Sequence, residues 1–131
     1  DIAEFSHHIG VLGCQARPQD HVWLARLYWF TVEFGLIREN GQIRALGAGL
    51  ASSASELPYS IESPLAERQP FQLTNVLRTP YRIDIHQPLY FVLDGLEQLR
   101  ELTRTDVLGA IHRAQALGLH PPRYAPKATL N

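Results

Sequence analysis

The chain has 131 residues, of which 45% are apolar and 19% charged, and its net charge is -1. That is ordinary for one globular domain with a modest core. No basic face or run stands out, which excludes the electrostatic footprint of a nucleic-acid or membrane-surface binder, and no apolar run nears the ~20 residues of a membrane-spanning helix.

Residues 2–13 carry Ile2, Phe5, Ile9 and Leu12 at helical spacing, with Gly10 and Gly13 near the end. The chain has no methionine and opens inside this helical pattern, so it is expected to be a piece of a longer polypeptide. Residues 14–19 form a polar link. Its Cys14, the only cysteine, cannot close an internal disulfide and reads as a small loop or core residue in a reducing cytoplasm.

Asp20 is a plausible N-cap for a helix over roughly residues 21–34. That segment is apolar nearly all round, the mark of a helix buried in a core or lining a pocket, and Gly35 is placed to close it. Next, Asn40-Gly41 between two short β-capable runs is the strongest hairpin signal in the chain. Gly47-Ala48-Gly49 lets the chain turn sharply or approach something closely. Ser53 and Glu56 have the spacing of a capping box before another helix.

Residues 62–80 are interrupted by prolines and read as mostly irregular. "YRIDI" and "LYFVL" read as short strands on either side of His86-Gln87-Pro88. Asp94 and Glu97 repeat the capping-box spacing before a helix carrying Leu96, Leu99 and Leu102. A last helix over residues 106–117 stops at Gly118, and the final ten residues read as a tail. The pattern predicts a mainly α-helical α+β fold with small hairpins.

One residue is out of place in this scheme. Glu33 is the single acid in "LARLYWFTVEFGLI", and a buried isolated carboxylate is costly unless it is protonated, paired or bound to a metal. Arg26 is two turns away, about 10 Å at ~1.5 Å per residue, too far for a local ion pair. The residue types alone leave a structural acid, an exposed helix end, a general base and a metal ligand all open.

"LYWFTVEFGL", then a hairpin, then "GAGLASSASELPYS" resembles the pterin-dependent aromatic amino acid hydroxylases, most of all their bacterial phenylalanine 4-hydroxylases. "FSHHIGVLG" and "HQPLYFVLDGLEQL" fit the same pattern, and the resemblance covers roughly residues 1–104. It implies that the chain is the C-terminal part of a single catalytic domain, with 105–131 a C-terminal helix and tail and the N-terminal part absent. It also implies a non-haem Fe(II) held by two histidines and a glutamate, a facial triad with open positions for oxygen and substrate.

Carried over residue by residue, the resemblance makes Glu33 the catalytic metal ligand. Trp29 and Phe34 become walls of the amino-acid pocket, and Gly49 a glycine where substrate approaches the backbone. Ser52 becomes a serine supporting an iron-ligating histidine, and Glu56 an acid at the pocket edge. Ala25 and Tyr28 come to border a tetrahydropterin. Without the family pattern, Trp29 and Phe34 are core residues, Ser52 is a helix-start hydroxyl and Glu56 is half of a capping box.

The family's two iron histidines sit in a His-Asp/Glu-x-x-Gly-His type motif that at family spacing would fall before Asp1. His7 and His8 are no substitutes, since neighbouring helical side chains diverge by about 100°. His21, His86, His112 and His120 read as surface or loop residues. Leu46 replaces a tyrosine common before "GAGL", and Ser55 a glycine common after "SS".

The expected activity of the parent protein is phenylalanine 4-monooxygenation with dioxygen and a tetrahydropterin, in a cytoplasmic monomer acting on small molecules. The piece alone is expected to be inactive. A tyrosine or tryptophan hydroxylase of the same family, and a truncated non-catalytic paralogue serving as a binding or structural module, are the alternatives.

Overall fold

The computed structural model describes residues 2–123. Helix α1, Ile2–Gln15, buries Phe5, Ile9 and Leu12, the positions its periodicity selects. A single 3₁₀ turn, Pro18–Asp20, leads into α2, His21–Tyr28. There the helix does not run on to residue 34 as an α-helix. Residues Trp29–Glu33 form a π-turn, in which the Phe34 N–H reaches the Trp29 carbonyl at 2.8 Å, five residues back. The Thr31 hydroxyl donates to the Leu27 carbonyl at 2.6 Å, a back-bond that competes with the α-helical ladder. Nor is α2 buried all round, because Val22 is 55% exposed.

Gly35 does end this segment, for a reason other than a left-handed cap. A Cβ there would lie 2.6 Å from the Thr31 carbonyl oxygen and 2.7 Å from that of Phe30, so only glycine lets the chain turn back against the helix. The expected hairpin follows as β1, Leu36–Glu39, and β2, Gln42–Ala45. Its turn holds φ of 51° at Asn40 and 77° at Gly41, the two positive values that a tight hairpin turn requires.

Short helices α3, Ala48–Ala51, and α4, Glu56–Glu62, come next. The stretch expected to be irregular instead contains strand β3, Glu67–Pro70, and helix α5, Leu73–Leu77. "YRIDI" is not a strand. The Arg82 and Ile85 carbonyls accept from the Gln87 side-chain amide at 2.7 and 3.2 Å, so they are spent on a side chain rather than on a ladder. "LYFVL" is strand β4, Leu89–Leu93. The small hairpins are therefore one mixed sheet in the order β2-β1-β4-β3, with β4 parallel to both neighbours.

All five residues of β4 are buried, as befits a strand covered on both faces. Leu89, Phe91 and Leu93 join the main core with α1, α2, α5, α6 (Leu96–Arg104) and α7 (Val107–Leu117). Tyr90 and Val92 point the other way and pack with Leu36, Leu50 and Ala66. The fold is α+β, with helices on both faces of the sheet.

Helix α7 begins and ends as expected. The Asp106 carboxylate caps the Gly109 N–H at 3.0 Å, and Gly118 follows at φ 81°. The Asp94/Glu97 box is replaced: Gln98 caps the Asp94 N–H at 2.8 Å, while Glu97 pairs with Arg100 and Arg104. Of the expected tail, Arg123 pairs with Glu67 at 2.6 Å, and 124–131 lie outside the described residues.

Asp20 is not a helix cap either. It is 1% exposed and gathers donors from Arg17 (backbone, Nε and Nη2), Gln115 and the facing His112. It thereby ties the α1–α2 link to α7. Hydrogen bonds from Arg17, outweighing the opposing burial, hold its carboxyl well below the usual range. A depressed folded pKa stabilises the fold above the unfolded value of about 4 and loses that contribution as pH falls below it. Wild type is therefore expected to lose stability relative to Asp20→Asn on acidification from about pH 5 to 3, a difference that denaturation midpoints at each pH will show.

Candidate functional site

The π-turn sets the geometry of the predicted site. It carries Trp29 at its start and Glu33 at its end, and Phe34 follows directly. The Trp29 and Phe34 ring centroids lie 4.4 Å apart. On its other side the Trp29 indole stacks on Tyr81 at 4.6 Å with 9° between the planes, and Tyr81 in turn meets Phe30 edge-on at 5.8 Å. These are favourable arrangements for aromatic pairs. Burial pushes the Tyr81 phenol up from its ordinary value.

The Gly47-Ala48-Gly49 turn packs directly on this segment. A Cβ on Gly47 would sit 2.2 Å from the Glu33 carbonyl oxygen. One on Gly49 would sit 2.9 Å from Glu33 Oε2 and 3.0 Å from the Phe34 ring. The turn is held there by Leu46 and Gly47 N–H groups donating to the Gly35 carbonyl at 2.9 and 3.1 Å. Glu33, Trp29, Phe34 and Gly49 are therefore brought together.

Glu33 is partly buried, and among the described residues its carboxylate has no hydrogen-bond or ion-pair partner. Arg26 is occupied elsewhere, donating to the Leu77 carbonyl at 3.3 Å and lying 4.6 Å over the Trp23 ring. A partly buried carboxylate left without a cation of its own, packed so closely on Gly49 that a Cβ there would lie 2.9 Å from its Oε2, suits an oxygen donor to a metal. Among the described residues no three histidine, cysteine or acidic side chains converge as a metal site, so Glu33 fits as one ligand of a set and not as a complete centre.

The remaining predicted residues fall into three places. Ser52 is exposed, and its hydroxyl donates to the Gly49 carbonyl at 3.1 Å. Ala25 and Tyr28 line an apolar cleft of about 290 Å³ with Ile9, Gly13, His21 and Leu24, between α1 and α2. Glu56 is buried and already engaged. Its Oε2 accepts from the Tyr90 hydroxyl at 2.5 Å and the Gln87 backbone N–H at 3.0 Å. Burial, reinforced by that carboxylate, pushes the Tyr90 phenol up, far above its usual range. Only half of the capping box exists, Ser53 Oγ accepting from the Glu56 N–H at 3.1 Å.

Residues 1–121 match the family model of the biopterin-dependent aromatic amino acid hydroxylases. The chain belongs to that family. The hydroxylase match runs past residue 104, where the sequence resemblance ends, and takes in α7. The phenylalanine-4-hydroxylase of Vibrio cholerae is 50% identical over 127 residues, 97% of this chain and 44% of the relative. That of Pseudomonas aeruginosa is 48% identical over 126 residues, 95% and 47%. A solved structure of phenylalanine hydroxylase from Legionella pneumophila superposes with a TM-score of 0.90 at 40% identity, covering 95% of this chain and 53% of that one. The chain thus spans just under half the length of these two curated relatives, and the hydroxylase family acts on small-molecule substrates with a pterin.

Tyr81, Gln87 and Tyr90 are neighbours of the site that sequence reasoning does not find. Gln87 and Tyr90 stand inside the family-like "HQPLYFVLDGLEQL" block, but nothing local marks their partners, which lie 31 to 58 residues away.

Proposed function

We propose that this chain is the C-terminal part, residues 1–131, of a single catalytic domain that converts L-phenylalanine to L-tyrosine with dioxygen and a tetrahydropterin. The carrying observation is the partnerless Glu33 carboxylate at the end of the π-turn, set between Gly49 and the Trp29–Phe34 rings. Glu33 would hold Fe(II) together with two histidines from protein outside this chain, and the ion when bound supplies activation of dioxygen.

The chain's own residues prepare the place for that chemistry. Trp29, Phe34 and Tyr81 form an aromatic wall that lines the substrate pocket and excludes water. Gly49 leaves backbone room for the substrate, and Ser52 supplies a hydroxyl near it for an iron-ligating histidine. Glu56, at the pocket edge, serves the site through the hydrogen bonds its carboxylate accepts from Gln87 and Tyr90. Ala25 and Tyr28, in their apolar cleft, border the pterin. The exposed Cys14 thiol fits a reducing cytoplasm, and a monomer acting on small molecules completes the reading.

Assay of the full-length polypeptide with Fe(II), a tetrahydropterin and each aromatic amino acid tests this. Tyrosine formed from phenylalanine faster than any product from tyrosine or tryptophan is the expected result. Faster hydroxylation of tryptophan or tyrosine would move the assignment within the family, and none at all would favour a non-catalytic paralogue.

A further inference from the structure

Gln87 is 2% exposed and Glu56 6% exposed, so both carry polar atoms into a place where each atom must find a partner or cost stability. Gln87 lies outside any helix or strand, and Glu56 opens α4, so neither side chain is accounted for by a backbone ladder. Gln87 Nε2 donates to the Arg82 and Ile85 carbonyls. Those two acceptors fix the orientation of the amide, since only its NH₂ can face a carbonyl. Its oxygen is therefore turned toward the Trp29 indole, whose Nε1–H donates to it across 3.4 Å. The Gln87 backbone N–H and the Tyr90 hydroxyl both donate to Glu56 Oε2.

We infer that Gln87 and Glu56 are positioning residues for the aromatic pocket, acting through Trp29. Glu56 anchors the backbone of Gln87 to strand β4 through Tyr90, and the Gln87 amide holds the indole edge while Tyr81 and Phe34 hold its faces. A tryptophan held only by its faces can slide in the plane of the ring, and the edge bond stops that motion. Glu56 thus acts on the pocket through Gln87 and Trp29. The inference rests on the reading of Trp29 as a substrate wall.

The test uses the full-length polypeptide carrying ¹⁵N-indole tryptophan, with the Trp29 Nε1–H resonance assigned by its loss in Trp29→Phe. Gln87→Leu is expected to move that resonance upfield. It should also raise KM for phenylalanine about tenfold with kcat nearly unchanged, the signature of lost uniform binding and the size of one hydrogen bond. Glu56→Ala should do the same, and Glu56→Gln, which keeps a carbonyl acceptor for the Gln87 N–H and the Tyr90 hydroxyl, should restore both readouts.

An indole resonance unmoved by Gln87→Leu overturns the inference, and so does a KM within about twofold of wild type once the resonance has moved. If wild type hydroxylates no aromatic amino acid, the functional reading fails and the indole resonance alone decides the wiring. Should Glu56→Ala not fold, Gln87→Leu and Glu56→Gln decide between the same outcomes through the same two readouts.

Discussion

Glu33→Ala in the full-length polypeptide is expected to abolish iron binding and hydroxylation while the protein remains folded. Removing a residue that merely supports a metal ligand costs about 10–100-fold in affinity or activity, so removing a ligand itself should cost more than about 100-fold in both. The fold should survive because Glu33 is only partly buried and its carboxylate satisfies no described donor. Truncation therefore orphans no buried polar group, the usual source of a severe loss. Metal analysis of the purified variant, with its thermal transition as control, reads both halves. Wild-type iron stoichiometry in the variant would take Glu33 out of the metal site.

The elements legible in the sequence are those whose cause lies within a few residues. Asn40-Gly41 specifies its turn because the two positive φ values are a property of those residues alone. Asp106 and Gly118 bracket α7 by bonds to backbone groups no more than four residues away. What is not legible depends on distant partners. Strand β3 has the polar sequence ERQP and no local reason to be extended; it exists because β4 offers a parallel ladder to pair with. The alternation of "YRIDI" promises a strand, yet Gln87 takes two of its carbonyls first.

The same division runs through the site. Glu33, Trp29 and Phe34 can be found because their motif is contiguous, and Gly49 because its turn is a short glycine pair. The π-turn that aims them has no sequence signature, since it depends on the Thr31 back-bond and on what the turn packs against. Glu56 suits a pocket-edge acid or a capping-box member by its position in the sequence, and nothing local shows that a buried tyrosine hydroxyl and a backbone N–H, 34 and 31 residues distant, also donate to its carboxylate. Spacing rules describe the options open to a side chain, and long-range burial then selects among them.

Gly47→Ala and Gly49→Ala are expected to fail in opposite ways, although the two positions flank one alanine. The added Cβ at Gly47 would meet only main chain, with the Glu33 carbonyl oxygen and carbon at 2.2 and 2.3 Å and the Phe34 nitrogen at 2.6 Å. Relief would require pulling the turn off the Gly35 carbonyl, which holds it through two hydrogen bonds, or unwinding the π-turn. Overpacking commonly costs about 1–3 kcal/mol, and against main chain that cannot rotate away the loss should reach about 3 kcal/mol or more. At Gly49 the nearest atoms are the end of the Glu33 side chain at 2.9 Å and the rim of the Phe34 ring at 3.0 Å. Both can swing aside, so the stability cost should stay within about 1 kcal/mol, but the movement displaces the proposed metal ligand and the pocket wall together. Denaturant midpoints should therefore fall sharply for Gly47→Ala alone, while Gly49→Ala keeps its fold and loses iron. A Gly49→Ala protein with normal metal content would mean that Glu33 Oε2 does not occupy the space this glycine leaves open when the metal is bound.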